Sequence, residues 1–165
     1  MQQPVILPAL ALLILTAMLP ACSKQPPPAA VQNKKIVQRY FNEVWNQGHL
    51  NVLDELLSAG YINHTPSTPN PPIGPGGLKP IVTAFHKGVP DLHYEIMDII
   101  ANDSMAVARV VVTGTQQDSL FGLPPTGKKF TVNQINIEKI VNGKIAEHWR
   151  VTDDLTMMRQ LGHIQ

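Results

Sequence analysis

Apolar residues recur at helical spacing where the foldable part of the chain begins. Ile36, Val37, Tyr40, Phe41, Val44 and Trp45 fall on one face of a helix, Asn33 is a suitable N-cap, and Gly48 supplies the stop. A second, short helix over residues 51–57 buries Val52, Leu53, Leu56 and Leu57 and ends at Gly60. Residues 65–77 form a loop fixed by prolines and bent by glycines. A third helix follows, with Pro80 tolerated in its first turn and Ile81, Val82 and Phe85 inward. From Leu92 the pattern becomes that of strands. Residues 92–101, 105–115, 130–141 and 144–152 read as four antiparallel strands, with Asn142-Gly143 a strong two-residue hairpin signal. Residues 119–128 are a loop containing Pro124-Pro125-Thr126-Gly127, and 154–161 form a short closing helix. Three helices followed by four strands predict an α+β domain, with helices covering one face of a curved sheet.

The last strand carries the first candidate chemistry. Side chains alternate across a strand, so Trp149, Val151 and Asp153 share one face, and His148, Arg150 and Thr152 share the other. The first face offers an aromatic wall, an apolar spacer and an acid, which suits a pocket wall. Its alternative is a core tryptophan and an aspartate that caps the next helix.

Composition changes the picture at the N-terminus. Residues 5–19 are almost wholly apolar, short for a membrane span but the length of the apolar core of an export signal. The run ends in Leu19-Pro20-Ala21-Cys22, which resembles a bacterial lipobox, and Cys22 is the only cysteine. No lysine or arginine precedes Val5, which departs from the usual signal. The expected organisation is a lipoprotein-type signal over 1–21, a proline-rich tether over 22–32 and one domain over 33–165. Lipid on Cys22 would anchor that domain on the outer side of a bacterial membrane, periplasmic or at the cell surface. A formal net charge of +1 with no basic run gives no footprint for nucleic acid. The six histidines show no paired-ligand spacing, so no metal is expected.

Several pieces occur together in order: residues 39–46 with Gly48; Tyr61-Ile62-Asn63-His64; Pro90-Asp91-Leu92-His93; Gly114-Thr115; Gly122 to Gly127; Gly143 to Trp149; then Asp153 and Gln160-Leu161-Gly162. In this set the chain resembles the SnoaL-like polyketide or ester cyclases of the nuclear transport factor 2-like superfamily. The resemblance implies a conical α+β barrel and a deep apolar pocket for an apolar or aromatic small molecule. It also implies no cofactor and an oligomer packed through the sheet, a homodimer or tetramer.

The resemblance further implies that Asp153 is the base. It would remove an α-proton from an activated ester, and the enolate would close a ring by aldol condensation. An apolar neighbour such as Trp149 would raise its pKa by desolvation. His64 matches a pocket histidine of the family; its alternative is a loop histidine bonded to the backbone. Tyr61, Trp149, Val151 and Gln116 are the expected substrate contacts. Gln116 stands where relatives often carry histidine, and glutamine can hydrogen-bond an oxygen but moves no proton. Gln134 stands where many relatives have glycine. A ligand-binding lipoprotein without catalysis, or an isomerase or dehydratase on the same cone, are the competing readings. Arg109 lies mid-strand among valines and needs a partner, as a structural ion pair or as a pocket cation.

Overall fold

A helix over Ala29–Arg39 (α1) runs without a break into a π-helical turn, Tyr40–Trp45. The computed structural model describes residues 28–165, so the expected signal, Cys22 and most of the proline-rich stretch lie outside the described residues. α1 starts ahead of the expected Asn33 cap. Ala29 and Ala30 are strong helix formers directly after Pro28. Asn33 is buried inside the helix and donates from Nδ2 to the Asn102 carbonyl at 2.8 Å. The π-turn has a physical consequence. Its wider winding lets two adjacent pairs, Tyr40-Phe41 and Val44-Trp45, face inward together.

The remaining elements are α2 (Val52–Leu56), β1 (Leu57–Asn63), α3 (Pro75–Gly88), β2 (His93–Ala101), β3 (Met105–Thr115), β4 (Lys129–Val141), β5 (Lys144–Thr152) and α4 (Asp154–Leu161). The sheet has five strands in the order β1-β5-β4-β3-β2. The four expected strands form its antiparallel part, and β1 adds a fifth, parallel to β5. Sequence gives little sign of β1. Leu57-Ser58-Ala59-Gly60 has weak strand propensity, and its pairing with β5 shifts register between Leu57 and Ile62. Further shifts occur between Ile96 and Asp98 and between Lys139 and Ile140. Such irregularities bend and twist strands, which curls the sheet around its contents. The β4–β5 hairpin turns on Asn142 (φ 51°) and Gly143 (φ 72°), the pair of positive angles that a type I′ turn needs.

α1 packs on β2 and β3, α3 on β1, and α4 on β4. The enclosed core is strongly aromatic: Tyr40, Phe41, Trp45, Phe85 and Tyr94 meet with ring centroids 5.3–6.2 Å apart. Arg109 pairs with Asp98 at 2.6 Å near the sheet surface, so it is a structural pair and lines neither of the interior spaces described below.

β4 sets up the site. Its inward residues are Phe130, Val132, Gln134, Asn136, Glu138 and Ile140, all buried. The inner face therefore changes from apolar to polar partway along one strand, while Ile135 faces outward.

Candidate functional site

β4 and β5 carry matching polar residues into the interior. Across the hairpin, Gln134 lies opposite Thr152, Asn136 opposite Arg150 and Glu138 opposite His148. Ile135 opposite Val151 and Ile137 opposite Trp149 alternate with them on the outer face. The hairpin thus turns its polar side inward, the reverse of an ordinary half-buried strand pair. Such an inversion is costly unless each polar group is satisfied or used.

Two neighbouring spaces adjoin this ladder. A cavity of about 290 Å³ is walled by Phe85, Val112, Leu120, Phe130, Val132 and Leu161, with Gln134, Arg150 and Thr152 supplying polarity. Phe121 and Asp154 also border it; both are exposed. A narrow recess of about 10 Å³ lies between Tyr40, Trp45, Tyr94, Asn136 and His148. Gln134 and Arg150 line both spaces, as do Ser67 and Tyr94.

At the recess, His148 Nδ1 and Glu138 Oε1 are 2.8 Å apart, and both residues are buried. Burial raises the Glu138 pKa, opposed by its contact with His148. Three buried polar atoms in this region have no hydrogen-bond partner among the described residues: Glu138 Oε2, Asn136 Nδ2 and Tyr61 Oη. Burial, and then the Glu138 charge, raise the Tyr61 pKa as well, which keeps the phenol neutral. Gln134 Nε2 donates to Thr152 Oγ1 at 2.7 Å. Among the described residues, Arg150 makes no ion pair, and its guanidinium bonds only Ser67 Oγ, at 3.3 Å. The arrangement combines a carboxylate-oriented imidazole, an amide donor and a guanidinium at the polar end of an apolar chamber. It can move a proton and hold a developing or resident negative charge.

The structure gathers the residues expected from sequence differently. Asp153 is exposed and caps α4, accepting from the Thr156 N–H at 3.1 Å. Hydrogen bonds from Thr156, side chain first and backbone second, lower its pKa. An acid held this way prefers the anion, the opposite of the desolvated base that sequence suggested. His64 lies outside the cavity with Glu147, its Nε2 at 2.8 Å from Oε2, and stacks on Trp149. Asp153 and His64 share no hydrogen bond, and neither lines the cavity or the recess.

Trp149 and Val151 occupy the outer face, Val151 being 73% exposed, so they are not cavity contacts. The reason is parity: the hairpin register sends the polar residues of β5 inward. Tyr61 is buried but borders a separate space of about 70 Å³ under the proline-rich loop. Gln116 does line the cavity, with its amide already engaged. Nε2 donates to the Pro124 carbonyl at 3.0 Å, and Oε1 accepts from Thr126 Oγ1 and meets His163 Nε2. It pins the Pro124-Pro125-Thr126-Gly127 loop to the C-terminus.

Among the described residues, no group of three or more His, Cys, Asp or Glu is arranged to hold a metal ion. Sequence reasoning passed over Glu138, His148, Arg150 and Asn136. Their signal was present as alternating polar residues on two strands joined by a recognised hairpin turn.

Comparison with known proteins agrees with this architecture. The model of the SnoaL-like polyketide cyclases matches residues 35–161. The chain is 31% identical over 125 residues to the aklanonic acid methyl ester cyclase of Streptomyces peucetius, covering 73% of this chain and 84% of that protein. It is 27% identical over 122 residues to the nogalonic acid methyl ester cyclase of Streptomyces nogalater, covering 72% and 89%. Among solved structures, TsrD from Streptomyces laurentii superposes with a TM-score of 0.74 at 28% identity, covering 81% of this chain and 97% of that one. The fold is therefore the α+β, nuclear transport factor 2-like one. By its ordered motifs, its five-stranded curled sheet and its match over residues 35–161, the chain belongs to the SnoaL-like polyketide cyclase family.

Proposed function

We propose that the chain is a cofactor-independent acid–base enzyme of the ester-cyclase kind, closing a ring within a compact, largely apolar carbonyl compound. The observation that carries this reading is the buried Glu138–His148 pair beside a recess that adjoins an apolar cavity. With Glu138 ionised, His148 donates Nδ1–H to Oε1 and keeps a lone pair on Nε2. Nε2 takes a proton from the carbon next to a carbonyl, and the C–H electron pair becomes an enolate. Asn136 Nδ2, a buried donor without a partner among the described residues, suits the enolate oxygen. The enolate carbon bonds to a second carbonyl carbon of the same molecule. The π electrons of that carbonyl move to its oxygen, which recovers the proton from the imidazolium. The product is an isomer of the substrate. The apolar walls fold the two carbonyls together, which supplies the proximity such a step needs.

Exchange at the α-carbon tests this. The full chain is incubated in D₂O with aklanonic acid methyl ester and with smaller diketo esters. Deuterium uptake and isomeric ring-closed products are followed by mass spectrometry and chromatography. The expected result is exchange that falls about 10²–10⁴-fold in His148→Gln. Exchange at the wild-type rate in His148→Gln would overturn the assignment. Saturable binding with no exchange in the wild type would leave a ligand-binding protein, a reading to which the engaged amide of Gln116 already lends support.

A further inference from the structure

Arg150 is a half-buried charge beside an apolar chamber. It borders both the cavity and the recess, and the walls around it include Phe85, Val112, Phe130 and Val132. A guanidinium stays charged and offers donors in a planar fork matched to a carboxylate. A charge in apolar surroundings calls for a counter-charge, which in folded proteins is an ion pair. Arg150 has none among the described residues; Ser67 Oγ, a neutral acceptor, is its single side-chain partner. The two nearby acids are differently placed. Glu138 is turned to His148, and Asp154 is exposed, beyond ion-pair distance of Arg150. The neighbouring amide of Gln134 already donates to Thr152. The strongest free donor set in the chamber therefore faces the place where a ligand would lie.

We propose that Arg150 is a specificity-determining residue that selects ligands bearing a free carboxylate over the corresponding methyl esters. This rests on the cavity being the small-molecule site. It departs from the methyl esters after which the curated relatives are named. The acid forms a two-pronged pair with the guanidinium, leaving the apolar body of the ligand against Phe85 and Phe130. A methyl ester removes the charge and places its methyl group against the fork. The carboxylate is an anchor and takes no part in bond making, so the carbonyl chemistry at His148 proceeds elsewhere on the same molecule.

The test compares acid and methyl-ester forms on three bodies of increasing size: benzoate, 2-naphthoate and anthraquinone-2-carboxylate. Affinities for the purified full chain are measured by calorimetry, with Arg150→Gln and Arg150→Lys alongside and circular dichroism to confirm folding. The expected result is that at least one acid binds about tenfold or more tightly than its ester, with affinity falling as salt is raised. Arg150→Gln abolishes the preference while ester binding persists, and Arg150→Lys retains part of it. Equal binding of acid and ester, or a preference that survives in Arg150→Gln, overturns the inference and leaves the cavity as a ligand site. Failure of every acid and every ester to bind overturns both.

Discussion

Trp149 lies flat on His64, their ring centroids 4.5 Å apart and their planes 5° from parallel, on the outer side of the sheet. The other tryptophan, Trp45, lines the recess inside. A ligand in the chamber therefore approaches Trp45 and leaves Trp149 alone. The emission change on ligand binding should vanish in Trp45→Phe and persist in Trp149→Phe. The reverse pattern would put the ligand on the outer face.

Asp153 has a depressed pKa, so its contribution to stability is present above the unfolded value and disappears as pH falls through the folded one. Asp153→Ala should lower the melting temperature near neutral pH, and the gap from the wild type should close in acid. Asp153→Asn should stay near the wild type, because asparagine is also a good N-cap. Stability unchanged by Asp153→Ala at neutral pH would show that the cap contributes nothing.

Glu138 has the opposite sign. Burial raises its pKa, so its contribution is fully present below the unfolded value and is lost as pH rises through the folded one. Glu138→Gln, similar in shape and uncharged, removes that loss. Its melting temperature relative to the wild type should climb as pH rises from the unfolded carboxyl range through the raised folded pKa, while turnover falls with the orientation of His148. A variant less stable than the wild type at the upper end would mean that the His148 pairing outweighs desolvation.

The recognisable parts of the fold were those set by local chemistry. Asn142-Gly143 announced its hairpin because few residue pairs accept two positive φ angles. The aromatic face of the first helix was equally plain, although its π-turn was not, since the helical period alone does not reveal one extra residue in a turn. β1 was hidden because its pairing comes from β5, far along the chain. On β5 alone, Trp149 and Val151 look like the inner face, because apolar residues usually are. Only the register with β4, which sets Gln134, Asn136 and Glu138 against Thr152, Arg150 and His148, fixes which side is inside. Asp153 then follows as a cap, a role that fits its place just ahead of α4.

That same register leaves Ile135 and Val151 exposed side by side on the outer face, 45% and 73% accessible. Paired apolar residues on a sheet surface suit burial against a second copy, the homodimer or tetramer that the family resemblance implies. Light scattering should show the wild-type chain above monomer mass and Ile135→Lys/Val151→Lys nearer to it. Identical masses would direct any association to another surface.

We propose that Cys22 carries the lipid expected from the sequence. Fractionating cells that express the full chain should place the wild type with membranes and Cys22→Ser in soluble fractions. Equal recovery of both in the cytosol would remove the anchor.

The change along β4 from Phe130 and Val132 to Gln134, Asn136 and Glu138 makes the chamber directional. A guest with one polar end can settle in one orientation, head inward and tail towards Phe121. On the proposed mechanism, regiochemistry would be fixed at entry: ring positions near the head would come within reach of His148, while equally acidic positions at the tail would stay beyond it. Two isomeric substrates that differ only in the distance from head group to carbonyl should therefore differ in whether they react at all.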